Sequence, residues 1–383
     1  MADSCTDDPA AAGEVFWSER AATKGVFFAN GLGIGTWAAS IAGLKDHLGL
    51  TDGQLSLALL CFAGGAVITM PLSGWVGSRV STGRATMIAG IAFAMALVVP
   101  ALAPTLALLC LSTLILGASN GAVDVLMNAH ASGVERRWRA PIMSSFHAAF
   151  SLGGLAGALL GGSLAAAGPL AALGAASATG LVVMATASAF LGKGVAAVPT
   201  PLAFPDRTLL TLSLLALLCM MIEGAVADWS GTLLVQSGST ISSAAIGYFS
   251  FSLLMVVGRL AGDWIVARLG AASIVSMGGA LAAFGLSLVA FAPGAASGAV
   301  GFGLVGLGAS NVVPTVYSAA GRAGKSAAAG VAAAATAGYG GFLLGPVVIG
   351  TVATVSDLRW GMAVLALAAA AVSSMAASRQ LRS

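Results

Sequence analysis

Residues Asn120 to Gly154 read NGAVDVLMNAHASGVERRWRAPIMSSFHAAFSLGG. Apolar residues fill both ends of the stretch, and a short run with Arg136, Arg137 and Arg139 separates them. Two apolar helices reversing direction on a basic loop fit this pattern. The apolar pieces nevertheless carry Asn120, Asp124, Asn128 and His147, although hydrocarbon penalises ionisable side chains.

The rest of the chain fixes what surrounds this hairpin. Of 383 residues, 58% are hydrophobic and 8% charged, and the mean hydropathy is +0.96. A soluble domain carries about 25% charged residues, so the solvent here is lipid, where only helices and closed barrels satisfy the backbone. Barrel strands alternate apolar and polar residues, and this chain does not. Runs of the ~20 residues that cross a bilayer fall at 21–44, 54–78, 84–103, 105–132, 140–167, 169–192, 208–235, 243–267, 271–292, 295–320, 326–353 and 358–378. The expectation is an all-α polytopic membrane protein with twelve transmembrane helices. Residues 1–20 form an N-terminal tail, 21–192 one six-helix bundle, 193–207 (KGVAAVPTPLAFPDR) a linker, 208–378 a second six-helix bundle and 379–383 a C-terminal tail.

With both termini placed in the cytoplasm, fifteen of the seventeen Lys and Arg residues fall on that side, leaving Lys45 and Arg359 opposite. The positive-inside rule selects this orientation, with both tails and the linker cytoplasmic. The acidic residues Asp3, Asp7, Asp8 and Glu14 do not read as the start of a cleaved signal peptide. Cys5, Cys61, Cys110 and Cys219 sit singly, which suggests neither a disulfide framework nor a metal site.

Charges inside a bilayer cost about 2.5–3.5 kcal/mol on insertion scales and so mark interior pathways. Away from loops and helix ends the chain keeps Asp124, His147, Glu223 and Asp228. Asn120, Asp124 and Asn128 recur every four residues and form one stripe on the fourth helix. At 1.5 Å per residue, Asn30, His147 and Asn311 reach a similar depth on the first, fifth and tenth helices. A polar cluster on these four helices is the expected site. Glu223 lies mid-helix on the seventh, where a lone carboxylate in low dielectric can load and release a proton. Trp37, Tyr248, Tyr317 and Tyr339 supply candidate aromatic walls. Bland readings stand beside these: a structural Asp124–His147 ion pair, Asp228 as a hydrated helix-end residue, asparagines that bridge helices, aromatics that only pack, and His130 as a loop or interface residue.

The two halves echo one another. A shift of 188 residues places Gly74 on Gly262, Gly153 on Gly341 and Gly157 on Gly345, which fits internal repeats and close helix packing at small residues. GWVGSRVSTGR (Gly74 to Arg84) follows the second helix, and GRLAGDWIVARLG (Gly258 to Gly270) lies at the end of the eighth. Both are similar to the loop motif of the major facilitator superfamily, with Ser78 at the usual aspartate position in the first copy. DVLMN, MSSFHAAFSLGG and EGAVADWS resemble the bacterial inner-membrane branch related to sugar and fucose permeases. The fourth helix lacks the arginine, and the fifth the glycine-proline pair, of the drug/proton antiporters. The resemblance implies cytoplasmic gate contacts for Gly74, Arg79, Arg84, Gly258, Arg259, Gly262, Asp263 and Arg268.

It also implies a secondary active transporter, not an enzyme, that moves a small polar organic solute, sugar-like or another metabolite, by alternating access and proton-coupled symport. The expected partners are the solute, protons and membrane lipids, with no nucleic acid, no cofactor and a monomeric chain in the bacterial inner membrane. No GxxxxGK[ST] loop is present, which disfavours ATP-driven transport. An efflux antiporter of metabolites or drugs with the same fold differs in the direction of net flux. A non-transporting sensor or lipid-handling protein is the alternative of another class and would show no counterflow.

Overall fold

The computed structural model describes residues 9–191, 206–238, 246–291 and 294–376. Among the described residues twelve helices carry the fold: α1 (Pro9–Leu48), α2 (Asp52–Gly77), α3 (Thr82–Leu97), α4 (Leu106–Trp138), α5 (Met143–Ser163), α6 (Pro169–Ser188), α7 (Arg207–Gln236), α8 (Ile246–Leu269), α9 (Ala271–Phe291), a broken α10 in two pieces, α10a (Ala295–Ala309) and α10b (Val312–Ala323), α11 (Ala327–Val355) and α12 (Leu358–Ala376). Among the described residues, eleven spans are long and apolar enough to cross a membrane. The twelfth helix, α1, runs alongside α5 and α6. Most of the expected linker, residues 193–205, and the tail 379–383 lie outside the described residues.

The ends of these helices have local causes. Thr51, Thr105, Asp206 and Ser326 cap α2, α4, α7 and α11 through side-chain oxygens that accept backbone N–H bonds. Pro169 opens α6, where its missing N–H costs nothing. Two expected boundaries need correction. The tail does not extend to residue 20, because α1 is helical from Pro9. GVERRW is not a loop: α4 continues to Trp138, and the turn shrinks to residues 139–142. Arg136 and Arg137 in its last turn suit the negative end of a helix, and Arg139 ends it in the left-handed conformation at φ 57°.

The packing repeats with the sequence. In the first half α1 packs on α5, α2 on α4 and α3 on α6; in the second, α7 packs on α11, α8 on α10a and α9 on α12. The repeated glycines sit at these seams. A Cβ at Gly153 or Gly157 would collide with the carbonyl oxygens of Phe28 or Leu32 on α1, and one at Gly341 or Gly345 with those of Leu217 or Met221 on α7. Close backbone contact of this kind replaces the hydrophobic effect, which gives no drive between helices already in lipid. The halves meet where α2 faces α11 and α5 faces α8. The outer surface is apolar, with Ile68, Leu159, Phe284 and Leu367 all largely exposed, as a bundle solvated by hydrocarbon requires. We call the end that carries Arg79, Arg84, Arg136, Arg139, Arg268 and Arg322 the basic face.

Overpacking a tight seam costs about 1–3 kcal/mol. Gly157→Ala and Gly345→Ala are therefore expected to lower the melting temperature of the detergent-solubilised protein. Gly174→Ala, in α6 with nothing within 4 Å of an added Cβ, is expected to leave it unchanged.

Candidate functional site

Two hydrogen-bonded chains cross the centre of the bundle. In the first, Asn30 Nδ2 of α1 donates to Asn120 Oδ1 of α4 at 3.0 Å, and Asn120 Nδ2 donates to the Tyr339 hydroxyl of α11 at 3.1 Å. In the second, Asn128 Nδ2 donates to the Asp124 carbonyl at 2.9 Å and to its Oδ1 at 3.3 Å. Asn128 Oδ1 lies 3.0 Å from His147 Nε2 of α5. Asp124 and His147 are thus not a direct ion pair; Asn128, fully buried, stands between them. Asp124 Oδ2 is buried and makes no hydrogen bond. Phe27 and Tyr317 flank the His147 ring edge-on, at centroid separations of 5.4 and 6.0 Å.

The second half contributes the opposite charge. Arg259 belongs to the interior of α8 and is 7% exposed, so it is not a loop residue of the gate. The guanidinium sits ten residues before Leu269, or ~15 Å inside the helix end. Its Nη1 donates to Ser151 Oγ of α5 at 2.5 Å and its Nε to the Ser310 carbonyl at 3.2 Å. That carbonyl is free because Pro314, four residues on, has no N–H to offer it, and α10 breaks at Ser310 and Asn311. Arg259 lies within electrostatic range of Glu223 and His147. Glu223 Oε1 accepts the Cys219 thiol at 3.7 Å. The Tyr317 hydroxyl, near Met220 Sδ at 3.8 Å, is within range of Asp124, Tyr339 and Glu223.

The expected cluster is therefore assembled with different members. Asn30, Asn120, Asp124, Asn128 and His147 come together, joined by Glu223, Tyr317 and Tyr339. Asn311 does not join them: its Nδ2 donates to the Gly258 carbonyl at 2.9 Å, bridging α10 to α8. Asp228 is exposed on α7. Trp37 stacks on Phe62 at 6.1 Å within the first half, and Tyr248 is 49% exposed. Sequence reasoning missed Arg259 as an intramembrane cation, together with its partners Ser151 and Ser310. The available signal was Pro314, which predicts an open carbonyl at Ser310. His130 is not a loop residue either: it is buried in α4, with Nδ1 3.2 Å from Thr82 and Nε2 3.5 Å from Glu19.

Ties between the halves run from mid-depth to the basic face. Asp263 Oδ1 of α8 accepts the Ser145 N–H in the first turn of α5 at 2.9 Å, and Oδ2 pairs with Arg20 of α1 at 3.6 Å. Arg322 of α10b pairs with Glu135 of α4 at 3.3 Å, and the Ser318 hydroxyl also donates to Glu135. Gly74 and Gly262 allow close approach, the first to Ala328 and Ala332 of α11, the second to Ser144 and Asn311. Gly258 abuts Ser310. Arg79 makes no charge relay: it stacks on Trp75 at 3.8 Å, as Arg268 does on Trp264 at 4.2 Å. Arg84 is exposed. Among the described residues no His, Cys, Asp and Glu cluster could hold a metal ion.

Two six-helix halves that repeat one packing scheme around an intramembrane polar site define a membrane transporter fold. The sequence profile of the Major Facilitator Superfamily matches residues 25–346, and the chain belongs to that superfamily. An uncharacterised MFS-type transporter of Yersinia pestis is 34% identical over 372 residues, covering 94% of this chain and 96% of its own. Membrane protein MosC of Rhizobium meliloti is 34% identical over 352 residues, covering 90% and 86%. The crystal structure of FucP in its outward conformation superposes with a TM-score of 0.78 at 15% identity, covering 93% of this chain and 97% of that one. The human organic anion transporter MFSD10 gives 0.74 at 16% identity, covering 94% and 99%. Both structures share the fold.

A hydrogen bond to a charged group is worth about 1.5–3 kcal/mol, so losing one shifts a two-state balance roughly tenfold. With Cys5, Cys61 and Cys110 replaced by serine, buried Cys219 reports opening of the basic face. Combining Asp263→Asn with Glu135→Gln is expected to raise its labelling by a bulky maleimide about tenfold or more. Unchanged labelling would show that these ties do not hold the face.

Proposed function

We propose that this chain is a secondary active transporter that carries a small polar organic solute across the bacterial inner membrane, coupled to protons in the same direction. The observation that carries the reading is one buried guanidinium, Arg259, bonded to both halves and within electrostatic range of the intramembrane carboxylate Glu223, with a second carboxylate, Asp124, whose Oδ2 is buried without a hydrogen bond. The basic face is the cytoplasmic one, with both termini on that side, and the chain works as a monomer.

In this reading the ties from Arg259 to the basic face hold the cytoplasmic side shut, and the solute enters from the periplasm. It meets amide and hydroxyl groups of Asn30, Asn120 and Tyr339, which exchange hydrogen bonds with a hydroxylated solute. The edges of Phe27, His147 and Tyr317 form its apolar wall. Asp124 and Glu223 take the coupling proton. Neutralising Glu223 removes the counter-charge that draws Arg259 toward α7, and neutralising Asp124 alters the chain through Asn128 to His147 on α5. Both changes act on the helices that close the cytoplasmic face, and the halves then rock about the site.

The test is uptake in proteoliposomes driven by an imposed pH gradient, with the solute chosen by a thermal-shift screen of sugars, organic acids and amino acids, since a bound ligand raises the melting temperature. Glu223→Gln or Asp124→Asn is expected to abolish gradient-driven uptake or to uncouple it, leaving counterflow intact. Full gradient-driven uptake in both variants would sink the proposal.

A further inference from the structure

Spacing along the sequence does not pair the cysteines, but the fold brings two of them together. Cys61 of α2 and Cys110 of α4 are free and half-buried, and their thiols share a hydrogen bond. Both helices start at the end opposite the basic face, from the Thr51 and Thr105 caps, and run side by side in the same direction. Their backbones nearly touch: a Cβ on Gly65 would collide with the Leu114 carbonyl oxygen, and one on Gly117 with that of Phe62. Cys61 precedes Gly65 by four residues, and Cys110 precedes Leu114 by four. The two cysteines therefore lie level with one another, about one helical turn from the Gly65–Leu114 contact.

Their depth is also shared. The membrane-crossing part of α2 begins at Leu57 and that of α4 at Leu106, and each cysteine follows by four residues, or ~6 Å. The pair thus sits near the rim of the apolar zone. Leu57, Leu60, Leu108 and Leu111 around it are exposed, so this part of the seam is open to the surroundings. Close helix packing asks only for small side chains, which alanine or serine would provide. Two thiols in mutual contact add a chemistry that packing does not use. A disulfide requires Cα atoms about 4.4–6.8 Å apart, an approach that closely packed backbones allow.

We propose that Cys61 and Cys110 are a redox pair that closes to a disulfide by exchange with a small-molecule or protein disulfide on the side opposite the basic face. One cysteine thiolate attacks a sulfur of the external disulfide and expels a thiolate. The other cysteine thiolate then attacks the protein sulfur of the mixed disulfide and expels the second. The two leaving thiolates take up the two protons, so the protein loses two hydrogens and one external disulfide becomes two thiols. The new bond fastens α2 to α4 inside the first half and leaves the ties between the halves untouched. It stabilises that half without arresting its motion. That the pair meets an oxidising compartment rests on the orientation proposed above; the pairing itself does not.

The experiment equilibrates the purified full-length protein with reduced or oxidised glutathione, quenches with acid, and alkylates with a maleimide in denaturant before peptide mass mapping. In oxidised glutathione, Cys61 and Cys110 are expected to lose their labels together and to appear as one cross-linked peptide pair two hydrogens lighter, while Cys219 keeps its label. Dithiothreitol is expected to restore both labels. The oxidised protein is expected to melt at a higher temperature than the reduced one, and Cys61→Ser, which leaves Cys110 no thiol to close on, is expected to lose that difference. Full labelling of both cysteines in oxidised glutathione, a persistent mixed disulfide on either, a cross-link between two chains, or an unchanged difference in Cys61→Ser overturns the proposal. In acid-quenched cells the pair is expected to be oxidised. A bond that forms in glutathione but is absent from cells contradicts the orientation and supports the pairing.

Discussion

A guanidinium in the middle of an apolar bundle must be satisfied by its neighbours, and Arg259 is satisfied by partners on both sides of the molecule. Ser151 lies in the first half, and the Ser310 carbonyl lies in the second. The carbonyl is free because Pro314 cannot close the helical bond to it. One proline therefore opens α10, and the opening gives Arg259 a place to point. Moving the halves apart at this level would strip Arg259 of Ser151, which is costly in a low-dielectric interior. Glu223, on the same half as Arg259 itself, attracts the guanidinium from within electrostatic range.

The fold around this contact is two copies of one device. Glycines let α5 lie backbone to backbone on α1, and α11 on α7, with the same spacing in each half. These seams lie within the halves and make each a stiff body. Between the halves Gly74 also lets α2 lie close on α11, but the other ties are polar: Asn120 to Tyr339, a carboxylate on a helix N-terminus at Asp263 and Ser145, an ion pair at Glu135 and Arg322, and Arg259 itself. Such bonds are separable, and they run from mid-depth to the basic face. Stiff halves joined by separable polar ties on one side are what a rocking motion needs.

Much of this was legible in the sequence because the physics behind it is local. Composition gave the solvent, run length gave the helices, and the repeated glycines marked the seams. The stripe Asn120, Asp124 and Asn128 was visible because helical spacing puts those residues on one face. What sequence spacing cannot give is which residues face each other across helices. Asp124 and His147 have the right depth to pair, yet Asn128 takes the place between them. Asn311 has the right depth too, but sits at a helix break and turns to Gly258. Arg259 was hidden for another reason. Its glycine-rich surroundings resemble a loop motif, and counting it among the basic-face charges overlooked that it lies buried inside α8. GVERRW was read as loop because it is polar, whereas a helix leaving the membrane has no reason to stop at the interface.

In the proposed mechanism closure of the basic face depends on Arg259, and closing one face opens the other. The direct measurement is the spin-label distance across each face, with labels replacing Arg84 and Arg268 on the basic face and His47 and Arg359 on the opposite one, all exposed. In the otherwise native protein the basic-face pair is predicted to show one short distance. With Arg259→Gln, a longer population should appear on the basic face and a shorter one on the opposite face, in matching proportion. Distributions that stay the same on both faces, or lengthen together, would contradict the account.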